Sequence, residues 1–567
     1  MIMRTEHPKP QFMREDWLCL NGEWEFETDP GISGEARRLY EVDAPFGRVI
    51  NVPFCIESKL SGIEEKDFIN SVWYRRKIEI TEDQLKGRVL LHFGAADYET
   101  KVYVNGEESF SHKGGYVSFQ GDVTDLLKVG GNVVTVHVLD DTRNDMIPSG
   151  KQCPWYKSSG CSYTRTTGIW QTVWLEFVPV TRIVKTRYET DPVSGTVNIT
   201  ATLTGKGTFR AEAFYEGRPV GAAETKSSGG AATVSISLSE IHPWEVGHGR
   251  LYDLVLTYGE DRVKSYFGLR TVALDGYRFL INGKSVFMRT VLDQGFYPDG
   301  IYTAPSDADL ERDVDMSMAM GFNGARLHQK VVEERFLYHC DRKGYIVWGE
   351  FPDWGLTHSR PDGVYGILPE WLDEIERDFN HPSIIGWCPY NETWDDSERR
   401  PVVRDLVKLV WRATKAADPT RPVIDASGFC HVETDIFDVH DYEQNPDELR
   451  RHYESLPKDG TFIDKFSNRQ EYKKGQPVFI SEYGGMTLNT EEHTWGYSVM
   501  NDVEQFYKTY QGLTDALLDN PCICGFCYTQ LTDVEQERNG VYYYDRRPKL
   551  DPERIRAINS RKAAIED

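Results

Sequence analysis

Apolar and polar positions follow three rhythms along the chain. Up to about residue 180, stretches such as SVWYRRKIEI, RVLLHFGAADYETKVYVNG and NVVTVHVLD mix alternation with β-branched and aromatic residues. Asn105-Gly106 offers a tight turn, and GIWQTVWLEFVPV closes the region on a strongly β-prone run. Period-two patterning of this kind predicts strands with one buried face. Residues 1–180 are therefore expected to form a β-sandwich large enough for a jelly roll. Residues 181–275 repeat the rhythm on a smaller scale in TVNITATLTG, TFRAEAFYEG, AATVSISLSE and GRLYDLVLTYG, with Gly and Pro between. That spacing predicts an immunoglobulin-like β-sandwich.

From residue 276 to 567 the rhythm changes to short continuous apolar runs alternating with amphipathic helical stretches. Eight strand candidates begin at Ser285, Phe322, Tyr345, Ser383, Pro422, Asp435, Gln476 and Ile523. Helical patterns such as DADLERDVDMSMAMG and LPEWLDEIERDF fill most gaps. Apolar strands separated by helices predict a parallel sheet covered on both faces, and eight of them predict a (β/α)8 TIM barrel. A doubly wound sheet is the alternative, but no Gly-rich phosphate loop follows the first strand. The chain thus reads as multidomain: jelly roll, immunoglobulin-like sandwich, barrel.

Barrels carry their chemistry at the C-terminal ends of strands. There the run SIIGWCPY ends in Asn391-Glu392, and PVFI ends in Ser481-Glu482-Tyr483. Two carboxylates at the tips of two strands, facing one cavity, suit glycosidic bond cleavage. One acid protonates the leaving oxygen while the other attacks the anomeric carbon or activates water. A structural role in salt bridges or helix caps competes for either acid alone, but less well for the pair. The remaining strand ends add Asp293, Arg326, His328, Glu350, Trp354, His440, Tyr442, Tyr528 and Gln530, the aromatic and polar mixture that a hydroxyl-rich ring wants. Two like charges in a narrow cavity cannot both ionise comfortably, and Pro389 and Trp394 dry the surroundings. The Glu392 carboxyl is therefore expected above its ordinary range.

Composition narrows the classes further. A net charge of −24 argues against nucleic acid as a partner. No run is apolar and long enough to span a membrane, and MIMRTEHPKPQFMREDW lacks the features of a leader, so a soluble cytoplasmic protein is expected. Cys524-Gly-Phe-Cys527 has redox or zinc spacing but no second pair, which favours buried structural cysteines. No H-E-x-x-H or similar spacing appears, so chemistry without metal or cofactor is expected. A homo-oligomer stays open.

Together, the domain order, GWCPYNETW, FISEYGG, FNGARLHQK, GYIVWGEFPDW and YYYDRRPKL resemble glycoside hydrolase family 2, which includes β-galactosidases, β-glucuronidases and β-mannosidases. The resemblance implies that Glu392 is the acid/base, Glu482 the nucleophile, Asn391 a ligand of the 2-hydroxyl, and Tyr442 a neighbour of Glu482. Members acting on glucuronides carry Asn-x-Lys before a Gly, where this chain has Glu537-Arg538-Asn539 before Gly540. An acidic residue often found six positions before the Gly-Ile pair is Ser162 here, which makes Arg165 a candidate contact. The expected activity is a retaining exo-β-glycosidase for terminal β-D-galactosides or related neutral β-glycosides, acting on a small glycoside or oligosaccharide. The alternatives are a β-glucuronidase or β-galacturonidase, a β-glycosidase for a pentose or furanose, and a non-catalytic carbohydrate-binding protein.

Overall fold

Val197, Ile199, Ala201 and Leu203 are buried while the residues between them face outward, so the strand Thr196–Thr204 realises its sequence pattern directly. A computed structural model describes residues 4–393, 402–463, 472–488 and 494–566; Trp394 lies outside them. Thr196–Thr204 is the middle of a three-stranded antiparallel sheet that faces a four-stranded one. Val197, Phe209, Leu254 and Val263 fill the space between the two sheets. The N-terminal region pairs a six-stranded sheet with a four-stranded one, closed over Trp24, Phe26, Val72, Leu91, Val136 and Leu175.

The third region holds seven parallel strands, in the order Ile384–Cys388, Ile346–Glu350, Gly324–Leu327, Met288–Asp293, Ile523–Thr529, Val478–Gly484, Phe437–Asp441. The eighth stave, expected from Pro422, departs from that pattern. Residues 422–427 make only two parallel bridges, Trp387 with Val423 and Asn391 with Ser427. They still occupy the gap between the two end strands, because the Ser427 hydroxyl donates to Asp438 at 2.5 Å. The glycine in GWCPY has a packing reason. A Cβ on Gly386 would lie 2.1 Å from the Trp348 ring of the adjacent strand. Only glycine lets that indole fill the barrel beside Phe479, stacked at 6.1 Å. Cys524 and Cys527 are buried in the strand Ile523–Thr529.

The first sandwich is fastened to the barrel by Glu370 of the helix Val364–Asp378. Its carboxyl accepts from the backbone N–H groups of Tyr116 at 2.6 Å and Val117 at 3.1 Å. Tyr116 in turn donates to the Pro148 carbonyl at 3.0 Å, just before the loop that carries Lys151 to the barrel mouth. Burial pushes the Glu370 carboxyl up to about 7 despite those donors. The folded state therefore binds more protons than the unfolded chain between about pH 4.5 and 7, and stability falls as pH rises through that window. Glu370 alone accounts for about 3 kcal/mol of that loss. Glu370→Gln is expected to flatten the decline in melting temperature between pH 5 and 8; an unchanged slope would assign the effect elsewhere.

Candidate active site

Beyond the strand Ile384–Cys388 the backbone is pinned from both sides. Asn391 N–H donates to Asp353 Oδ1 at 2.9 Å, and Glu392 N–H donates to the Ser427 carbonyl at 2.8 Å. These bonds hold Glu392 at φ 48°, a left-handed conformation that costs a side-chain-bearing residue about 1–2 kcal/mol. Glu482 sits within the strand Val478–Gly484 and is 3 % exposed. It accepts from the Tyr442 hydroxyl at 2.5 Å and from Arg326 Nη1 at 3.2 Å.

His440 lies between the two acids. Its Nδ1 is 2.8 Å from Glu392 Oε1, and its Nε2 is 3.4 Å from Glu482 Oε1. One oxygen of each carboxylate and one imidazole nitrogen all fall within 4.8 Å of one another. Burial raises the Glu392 carboxyl, but the hydrogen bond and charge of His440, then Lys151 and Arg326, outweigh it and leave Glu392 below its ordinary value. The expectation of a raised Glu392 is thus corrected: it considered the like charge and the dry surroundings but not an imidazole at hydrogen-bond distance. Burial lowers His440, yet Glu482 and Glu392 more than compensate and raise it. The trio could also hold a divalent ion. An ion on His440 Nε2 would have to displace the Ser427 hydroxyl, 3.0 Å away.

Arg326 is the anchor beneath the carboxylates. It is 1 % exposed and makes a two-point ion pair with Glu350, at 2.5 and 3.1 Å. It also donates to Asn391 Oδ1 at 2.9 Å and to the Ser481 carbonyl at 2.9 Å. Glu350 is thereby committed to Arg326. Arg326→Met would strand a buried carboxylate, so a loss of about 3–5 kcal/mol is expected in the unfolding free energy obtained by urea titration. A loss under 1 kcal/mol would contradict the anchoring role.

The other sequence candidates divide by strand face. His328 lies 3.5 Å from Glu482, and its other ring nitrogen meets Gln294 at 3.0 Å. Gln294 also donates to Gln530, at 2.8 Å. The Trp354 indole donates to the Asn391 carbonyl at 3.0 Å and lines a cavity of about 820 Å³ with Glu392 and Ser162. Three candidates point elsewhere. Tyr528 packs against Tyr510 of the helix Val503–Leu518 at 5.0 Å, because side chains alternate along a strand and its neighbour Thr529 faces inward. Thr529 meets the Tyr442 hydroxyl at 3.0 Å. Asp293 turns back to accept from Gly295 N–H at 2.9 Å. Arg165 stacks on Phe68 at 3.8 Å and donates to the Trp155 and Lys66 carbonyls.

The cation that the sandwich loop brings near the carboxylates, in addition to Arg326 of the barrel, is Lys151. It is buried, with its ammonium 4.0 Å from the Trp354 ring centroid. Burial opposes its charge, but Cys161, Glu537, Glu392 and Glu482 hold it protonated. Glu537 is buried beside it and accepts from the Tyr163 hydroxyl and from Asn539 at 3.0 Å. Burial raises the Glu537 carboxyl more than Lys151 and these donors lower it. Arg538 lines a separate cavity with Lys66, Lys157 and Glu535. Tyr497 stacks on Tyr442 at 3.3 Å. Periodicity gave no sign of Lys151 or Tyr497, both of which come from loops.

Comparisons with known proteins bear on the family and the fold. Residues 18–179 match "Glycosyl hydrolases family 2, sugar binding domain", and residues 272–549 match "Glycosyl hydrolases family 2, TIM barrel domain". A β-galactosidase of Thermoanaerobacter pseudethanolicus is 29% identical over 67% of the chain, which spans about half of that relative's length (52%). Human β-glucuronidase is 26% identical over 83% of the chain and 78% of its own length. The β-glucuronidase of Lactobacillus rhamnosus shares the fold at a TM-score of 0.80 and 19% identity, covering 99% of this chain and 100% of that one.

Proposed function

Since the chain belongs to glycoside hydrolase family 2, we propose that it is a retaining exo-β-glycosidase in which Glu482 is the nucleophile and Glu392 the acid/base. In this reading residues 1–180, 181–275 and 276–567 are its three domains, and the last holds the reacting groups. The observation that carries the proposal is the approach of the two carboxylates, with an oxygen of each within 4.8 Å of the other. Retaining enzymes hold their carboxyl groups about 5–5.5 Å apart, whereas inverting ones need roughly 6.5–9.5 Å to admit a water.

Around the acids, the buried Asn391 Nδ2, His328 Nε2, Gln530 Nε2 and Asn539 Oδ1 make no close, well-aligned hydrogen bond, His328 Nε2 standing 3.5 Å from Glu482. Buried polar atoms seldom stay unpaired, so they suit the hydroxyls of a sugar ring, with Asn391 nearest the 2-hydroxyl. Arg326 and Tyr442 hold Glu482 in position for attack on the anomeric carbon. As the glycosidic C–O bond breaks, Glu392 gives its proton to the leaving oxygen. Water then attacks the glycosyl-enzyme, Glu392 takes back a proton, and Glu482 departs as carboxylate.

For the glycone, the relatives named β-glucuronidase favour a β-linked uronic acid over the β-galactoside expected from sequence. Lys151 supports that reading, as a buried ammonium available to a sugar carboxylate. The second reading, a neutral β-galactoside, is favoured by an ionised Glu537, which would repel a uronate. Matched p-nitrophenyl β-glucuronide and β-galactoside decide between them through kcat/KM. Lys151→Met is expected to cost about 10–100-fold on the glucuronide, the worth of one charge-assisted hydrogen bond, and under about threefold on the galactoside. Equal losses on both would place Lys151 outside glycone recognition. No described helix is long and apolar enough to cross a membrane.

A further inference from the structure

His440 has a position that the double-displacement chemistry does not by itself require. The ring is buried, its edge meets Phe429 at a centroid distance of 5.9 Å, and Gly428 closes one side. A Cβ on Gly428 would lie 2.4 Å from the imidazole, so the ring's place is defined by backbone as well as by its partners. Nδ1 meets Glu392 at 2.8 Å; Nε2 meets the Ser427 hydroxyl at 3.0 Å, Glu482 at 3.4 Å and Arg326 at 3.5 Å. Asp438 of its own strand, His328 of the strand side that carries Arg326, Glu350 beneath Arg326 and Lys151 from the sandwich loop also act on this cluster.

We propose that His440 is a positioning residue that shares the acid/base proton with Glu392, so that the ionisation limiting activity at high pH belongs to the pair rather than to the carboxyl alone. The inference rests on Glu392 being the acid/base. Imidazolium with carboxylate, and imidazole with carboxylic acid, are two forms of one protonation state, related by transfer across Nδ1···Oε1. In glycosylation the pair's proton leaves on the departing oxygen as Glu482 bonds to the anomeric carbon. The pair then holds carboxylate and neutral imidazole. In deglycosylation water supplies a proton to Glu392, its oxygen bonds to the anomeric carbon, and the bond to Glu482 breaks. The charge of the imidazolium explains how two buried carboxylates tolerate each other in the resting state.

The test is the pH profile of kcat/KM on an alkyl glycoside, a poor leaving group, for the full-length wild type, His440→Gln and His440→Asn. Without the imidazole, Glu392 must hold the proton unaided, and the basic limb is expected to move to lower pH by about one unit or more. At a pH on the wild-type plateau the loss should reach about tenfold, and it should shrink on a dinitrophenyl glycoside that needs no proton. Gly428→Ala, which displaces the ring without changing its chemistry, should move the limb in the same direction. A purely structural role would lower the rate at every pH and leave the limb where it was; that outcome in the folded variants, checked by melting temperature, overturns the proposal. Azide rescue of Glu392→Gln separates the two levels: rescue with an unmoved limb rejects the role of His440 alone, and absence of rescue rejects the role of Glu392 beneath it.

Discussion

Glu482→Gln is expected to remove at least about four orders of magnitude from kcat on every substrate, whatever the leaving group. An amide cannot form the glycosyl-enzyme, and among the described residues no other carboxylate is placed to substitute. Glu350 is tied to Arg326, and Glu537 lies beside Lys151 with the Tyr163 hydroxyl on it. The fold should survive, because the amide keeps the shape of the carboxylate, although its single oxygen can accept from only one of Tyr442 and Arg326. Glutamine does leave Arg326 with one negative partner fewer, so a modest fall in melting temperature is expected. Stopped-flow release of nitrophenol would detect any remaining burst. A variant that loses less than tenfold would show that the nucleophile is elsewhere.

Glu392→Gln should behave differently. Where the leaving group is an alkoxide, glycosylation needs the proton, and a loss of about 10²–10⁴-fold is expected. With dinitrophenolate that step is largely spared. Deglycosylation becomes limiting instead, since no base activates water. The result should be a fall in kcat with a low KM, as the glycosyl-enzyme accumulates. Added azide, which needs no base, should restore turnover and yield a β-glycosyl azide. A loss that is uniform across leaving groups, with no response to azide, would remove Glu392 from the role of acid/base.

The sequence carried the fold because its three apolar rhythms report three burial geometries. Alternation in TVNITATLT is a sheet with one face inside, and the continuous runs SIIGWC and PVFI are barrel strands buried on both sides. Its weakest point was the stave at Pro422. VIDAS looks like any other strand, but only two of its residues make bridges to the neighbouring strand. Glu392 and Glu482 were legible since a carboxylate ending an apolar run conflicts with burial unless chemistry requires it. Which face a neighbouring residue takes was harder to read. Tyr528 and Thr529 are one position apart, and the register sends the aromatic ring outward and the hydroxyl inward. Lys151 was not legible at all, because a loop of the sandwich delivers it to a barrel residue, Trp354, 203 positions later. The lowered Glu392 carboxyl had the same origin: His440 was recognised as a residue of the site, but its contact with Glu392 exists only after folding.

The central claim, double displacement through Glu482 with Glu392 as acid/base, is tested most directly by the stereochemistry of the first product. A proton NMR time course on the hydrolysed p-nitrophenyl β-glycoside, whichever glycone is turned over faster, resolves the anomeric signals before mutarotation mixes them. The account predicts that the β-anomer of the free sugar appears first and the α-anomer only later, as the two equilibrate. Initial release of the α-anomer would mean inversion by a single displacement, and would contradict an active site whose carboxylates stand within 4.8 Å of each other.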